Sequence, residues 1–157
     1  MGIERGVLMN LLLCVDGTKE SVKALEKTIE LVSGCRIDNV SLLHVYHKVD
    51  LPMMKDGSQH YDVEIMESYV QMNEELMKEH EQILEQAAEA LRKKGVEPDL
   101  LLREGHTANT ISKVAEDGNY DLIVMGSRKQ SGPQQTWLGS VCNTVLQQTK
   151  VSVLVVK

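Results

Sequence analysis

Short apolar runs alternate with helically spaced apolar residues along the whole chain, and each run ends at a turn-forming or polar break. Leu11-Leu12-Leu13-Cys14-Val15 is continuous and breaks at Asp16-Gly17-Thr18, the pattern of a strand buried on both faces that opens into a turn. This predicts β1 over 11–15. From Glu20, apolar residues recur at Val22, Leu25, Ile29 and Val32, spaced 3, 4 and 3, until Gly34 offers a stop, so an amphipathic α1 is expected over 20–34. A second apolar run predicts β2 over 40–46, and the polar stretch holding Pro52 and Gly57 predicts a loop. Ile65, Tyr69, Met72, Leu76, Ile83, Ala87 and Leu91 keep helical spacing as far as Lys93-Lys94-Gly95, whose charges and glycine suit a helix end. That predicts a long α2 over 65–93. Leu100-Leu101-Leu102 predicts β3, 108–116 α3, 122–125 β4 ending at Gly126, 140–149 α4 and 151–156 β5.

Strands alternating with helices imply crossover connections and a parallel sheet covered on both faces. The expected fold class is α/β, a doubly wound five-stranded parallel sheet with helices on both faces. No repeat, low-complexity tract or linker divides the chain, so one domain is expected over 1–157, with 1–8 as an N-terminal tail.

Size and composition narrow the function. A chain of 157 residues can bury roughly 68 to 70% of its unfolded surface and needs no disulfide or metal staple. Seventeen Lys and Arg stand against 23 Asp and Glu, a formal charge of −6 with no basic block, which argues against a nucleic-acid or anionic-membrane face. Any anionic ligand must be held locally. Cys14, Cys35 and Cys142 lack CxxC or metal-ligand spacing, and their odd number does not suit a secreted disulfide framework, so a reduced, cytoplasmic protein is expected. The apolar segment 7–15 is interrupted by Asn10 and ended by Asp16 without a cleavage site, and no run approaches the roughly 20 residues that span a bilayer.

In an open parallel sheet, ligands bind beyond the carboxyl ends of the strands where strand order reverses. Two segments leave a strand with glycine and polar residues: Asp16-Gly17-Thr18 after β1 and Gly126-Ser127-Arg128-Lys129 after β4. If β1 and β4 are neighbours, both line one crevice. The second segment runs on to Leu138-Gly139-Ser140 and then enters α4, where unpaired amides and the helix dipole favour an anion such as phosphate. A turn and a serine N-cap would account for the same residues without a ligand.

Cys14 to Ser21, Leu42-Leu43-His44-Val45, 121–128, Leu138-Gly139-Ser140-Val141 and Val153-Leu154-Val155-Val156-Lys157 together resemble the universal stress protein family over nearly the whole chain. The nucleotide-binding branch carries G-x2-G-x9-G-[ST]. Gly126 stands at its first glycine, Gly139 at its third and Ser140 at its hydroxyl, while Lys129 replaces the second glycine and Gly132 lies off the spacing. The resemblance implies a Rossmann-like, adenine nucleotide alpha hydrolase-like fold that binds ATP or AMP, with Mg as an optional companion. It places Cys14, Val15 and Asp16 on the ribose and adenine side and Val45 against the base. Met125, Gly126, Arg128, Lys129, Gly139, Ser140 and Val141 complete the nucleotide-binding set that the resemblance implies. It also implies a homodimer through β5 and regulation through a protein partner not identified by sequence. Lys129 could place its ammonium on the phosphates.

Other conspicuous residues have plainer readings. Asp16 could cap α1, and Val45 could be ordinary core. His80 falls between Leu76 and Ile83 on the apolar face of α2 and reads as a hydrogen-bonded, partly buried histidine; His44 sits within β2, and His106 at a strand end. Met66, Met72 and Met77 read as core filling in a chain without Phe. Trp137 reads as an anchor for the loop before α4.

Catalysis has little support. GxxxxGK[ST] and a metal-binding carboxylate pair are missing, as are the SGGxDS loop of adenylating enzymes and the acidic cluster of receiver domains. The expected function is a non-catalytic or very weakly ATP-hydrolysing nucleotide-binding stress protein. The alternative is an interaction module of the same fold that binds no nucleotide.

Overall fold

The computed structural model describes residues 9–51, 62–128 and 138–157. Lys129 and Trp137, the loop at Pro52 and Gly57, and the tail 1–8 lie outside the described residues.

Nine elements alternate as expected: β1 (Met9–Cys14), α1 (Lys19–Gly34), β2 (Ile37–Tyr46), α2 (Val63–Arg92), β3 (Asp99–Glu104), α3 (Thr107–Asp117), β4 (Leu122–Gly126), α4 (Ser140–Gln148) and β5 (Ser152–Val156). The five strands form one parallel sheet in the order β3-β2-β1-β4-β5. Strand order therefore reverses at β1, where Leu13 pairs with Leu42 on one side and Val124 on the other.

The uninterrupted leucines of β1 have a physical reason. Leu11 and Leu13 enter a core with Ala24 of α1 and Leu84, Ala88 and Leu91 of α2. Leu12 points the other way, into a core with Ile111 and Ala115 of α3 and Cys142 and Val145 of α4. A strand with a helix layer on each face has no polar side to present, so period-two alternation disappears.

Several boundaries and faces differ from the periodicity. β1 ends at Cys14, although the Val15 amide still donates to the Leu43 carbonyl at 2.9 Å. β3 is longer than its leucine triplet because polar residues continue it along an edge. On α1 the fully packed face is Ser21, Ala24 and Thr28, while Val22 is 48% exposed. Ser21 and Thr28 tolerate burial because their hydroxyls donate to the Thr18 and Ala24 carbonyls.

The reading of the α2 methionines as core filling is corrected in part. Only the last third of this 30-residue helix is buried, through Leu84, Ala87, Ala88 and Leu91. Met66 and Met72 are each 40% exposed, and Ile65 is likewise exposed; at 30 residues the helix is about 45 Å long, more than the 10-residue β2 and 6-residue β3 can cover.

Candidate functional site

The strand reversal opens a cleft of about 570 Å³ beyond the carboxyl ends of β1, β2 and β4. Cys14, Val15 and Asp16 enter it from the end of β1 and the turn after it, Val45 from β2, Met125, Gly126 and Arg128 from the end of β4 and the residues just beyond it, and Gly139, Ser140 and Val141 from the start of α4. Every expected nucleotide-site residue among the described residues thus lines one cavity. Thr18, Ser21, Leu43, His44, Thr107, Ile111 and Cys142 join them without having been expected. His106, expected at a strand end, is the N-cap of α3 and lies outside this lining; its neighbour Thr107 faces in.

The turn after β1 is built by local hydrogen bonds. Gly17 has φ +77°, a left-handed conformation that side chains disfavour, and it lets the chain reverse directly after Asp16. Asp16 Oδ1 accepts from the Thr18 amide at 3.0 Å and the Thr18 hydroxyl at 2.5 Å. Capping of α1 falls to Thr18 instead of Asp16, with Thr18 Oγ1 accepting from the Ser21 amide at 3.3 Å. This frees the Asp16 carboxylate to face the cleft. Its second oxygen accepts from Arg128 Nη2 at 2.6 Å, an ion pair that ties the end of β4 to the end of β1. Burial pushes the Asp16 pKa up, but the Thr18 hydroxyl and amide and the Arg128 guanidinium outweigh it and hold the carboxyl below its ordinary value. Asp16 is therefore anionic at neutral pH. Stability from these bonds is present above the ordinary carboxylate range and is lost as pH falls through the lowered value.

The opposite wall is the start of α4. Gly139 is its N-cap with no side-chain hydrogen bond to the helix, and the first intrahelical bond runs from the Asn143 amide to the Gly139 carbonyl at 3.0 Å. A serine N-cap is therefore not what places Ser140: it is already the first helical residue. The amides of the first turn point out of the helix with its positive dipole end, beside the cleft.

The two glycines serve different purposes. A Cβ on Gly126 would lie 2.3 Å from the Glu20 carbonyl oxygen, so this glycine admits the backbone of α1. A Cβ on Gly139 would lie 3.2 Å from the Arg128 carbonyl oxygen, a contact that a small local movement relieves.

Cys14 and Cys142 also face the cleft as thiols. Burial, then the neighbouring Cys142 and Asp16, push the Cys14 thiol far up, and burial raises Cys142 despite the hydrogen bond with Ser127. Both are poor nucleophiles. Among the described residues, no group of three His, Cys, Asp or Glu side chains could hold a metal ion. Nor is any described helix long and apolar enough to cross a membrane.

The sequence profile of the universal stress protein family matches residues 8–157. Universal stress protein YxiE of Bacillus subtilis is 32% identical over 148 residues, which span 94% of this chain and 97% of that protein. The solved structure of hypothetical protein MJ0577, from Methanocaldococcus jannaschii, superposes with a TM-score of 0.73 at 24% identity, covering 95% of each chain. A universal stress protein family protein from Arabidopsis thaliana, solved with AMP bound, superposes with a TM-score of 0.64 at 17% identity, covering 95% of this chain and 90% of that one. At such identities the two superpositions bear on the fold alone.

Proposed function

The chain belongs to the universal stress protein family, and on that premise we propose that it is a non-catalytic adenine-nucleotide-binding protein. ATP or AMP occupies the cleft between the end of β1 and the start of α4, and occupancy alters the surface offered to a regulatory protein partner. The observation that carries this reading is the start of α4: a helix N-terminus without a side-chain cap opens into the cleft beside Arg128. In a chain of net charge −6, that is a local means of holding an anion. Val15, Val45 and Met125 supply an apolar end suited to a base. The Arabidopsis relative with AMP bound supports the same ligand class.

The cleft suits binding better than turnover. Asp16 is its one carboxylate among the described residues, and both of its oxygens are already engaged by Thr18 and Arg128. A lone, occupied carboxylate does not make a metal site, so Mg would arrive only with the phosphates of ATP. Turnover is expected far below the usual enzyme range of about 1 to 1,000 per second.

Calorimetry with adenosine, AMP and ATP tests the reading. AMP and ATP are expected to bind more tightly than adenosine, since only they reach the helix dipole and Arg128. Equal affinity for all three would remove the phosphate site, and no binding at millimolar ligand would leave the interaction module. Lys129→Ala is expected to weaken ATP more than adenosine; equal losses would make Lys129 a solvated loop residue.

The quaternary part of the proposal is a homodimer through β5. This strand lies at the sheet edge, Val153 to Val156 are only half-buried, and no described strand pairs with its outer side. A two-fold axis would pair two such edges antiparallel and satisfy both. Light scattering should give a dimer for the native chain and a monomer for the double variant Val153→Lys with Val155→Lys. A native monomer would contradict the dimer.

A further inference from the structure

The nucleotide reading leaves two histidines unused, and they are joined. His44 of β2, only 5% exposed, places Nδ1 2.7 Å from the Val15 carbonyl oxygen and Nε2 2.8 Å from Nδ1 of His80 on α2. A carbonyl oxygen only accepts, so His44 Nδ1 carries the proton. In the neutral ring Nε2 is then an acceptor, and His80 must donate to it from Nδ1. The two rings form a directed chain, His80 to His44 to the Val15 carbonyl, that runs from α2 into the cleft.

The surroundings hold this chain in place. The rings of His44 and His80 lie 4.9 Å apart, and Tyr46 covers the His80 ring at 5.0 Å. Burial, then the neighbouring His44, lower the His80 pKa against a smaller upward pull from Glu79, so His80 is neutral at pH 7. Ile83, one turn further along α2, packs at the Gly17 turn, where a Cβ would lie 3.4 Å from its Cγ1. Helix α2 thus meets the segment from Val15 to Gly17 at two points, once through a hydrogen-bonded chain and once through packing.

We propose that His44 and His80 are positioning residues of the cleft: His80 orients His44, His44 fixes the Val15 peptide at the base end, and the pair ties α2 to whatever occupies the site. The inference rests on reading the cleft as a nucleotide site. It gives occupancy a route to α2, whose first two-thirds carry exposed apolar residues such as Val63 and Val70. Transmission requires both hydrogen bonds, whereas holding the Val15 peptide requires only the one from His44.

Two variants separate these roles. His44→Leu removes both bonds and leaves the Val15 carbonyl without its donor. His44→Asn keeps an N–H near the position of Nδ1 but cannot reach His80. AMP affinity is expected to fall about tenfold in His44→Leu and to recover to within about threefold of the native value in His44→Asn. Hydrogen exchange around His80 should slow on AMP binding in the native protein and stay unchanged in His44→Asn. Long-range proton–nitrogen spectra of the native protein should show the proton on Nδ1 of both rings at pH 7. Native affinity in His44→Leu, or AMP-dependent protection around His80 that persists in His44→Asn, would overturn the proposal while leaving the nucleotide reading intact. A native protein that does not bind AMP would overturn both.

Discussion

Replacing Gly139 with valine is expected to weaken nucleotide binding severely while leaving the fold intact. Gly139 has φ −64° and ψ 160°, a conformation open to any residue, so valine introduces no backbone strain. Its Cβ would lie 3.2 Å from the Arg128 carbonyl oxygen, 3.7 Å from the Arg128 nitrogen and 3.9 Å from its Cβ, and a shift of a small fraction of a bond length relieves the closest of these. The stability cost should be about 1 kcal/mol, the usual penalty for an aliphatic residue at an N-cap. The branched side chain would, however, stand over the first-turn amides of α4, where the proposed phosphates bind. Losing charge-assisted bonds to those amides should weaken AMP on the order of a hundredfold. Calorimetry paired with circular dichroism checks both halves. Unchanged affinity would place the phosphates elsewhere.

Gly126→Ala should have the opposite profile, a loss of stability that comes before any effect on ligand. The added Cβ would lie 2.3 Å from the Glu20 carbonyl oxygen and 2.4 Å from its carbon. Both belong to the backbone of the first turn of α1, which no rotamer change can move aside. Either α1 must lift from β4 or the end of β4 must bend, so the cost should be about 3 kcal/mol. For a domain of this size that lowers the melting temperature by about 10 °C. An unchanged melting temperature would mean that α1 and β4 are not packed as described. The two glycines look equivalent in the phosphate-loop motif, and these variants separate a glycine kept for packing from one kept for the ligand.

That contrast marks what the sequence could convey. The apolar runs of β1 and β4 were legible because strands covered on both faces need apolar side chains throughout, and Asp16 and Gly126 were recognisable as the residues on which those runs break. The buried face of α1 was not legible, since Ser21 and Thr28 count as polar until their hydroxyls are seen bonded to carbonyls of their own turn. Helical spacing correctly gave α2 as long but could not show that the sheet stops short of Met66 and Met72. Thr107 had an available signal: it starts the helix after β3, and the rule that ligands gather beyond strand ends applies to that loop as well. The link between His44 and His80 had none, because it joins residues 36 positions apart on different elements through a single hydrogen bond.

An adenine nucleotide is proposed to sit between the end of β1 and the start of α4. The most direct test of this placement is a titration of the full chain with AMP followed by backbone amide resonances. The largest shifts are expected on Val15, Asp16, Gly139, Ser140 and Val141, saturating together. No saturable shift at millimolar AMP, or a saturable set confined to other parts of the sheet, would contradict it.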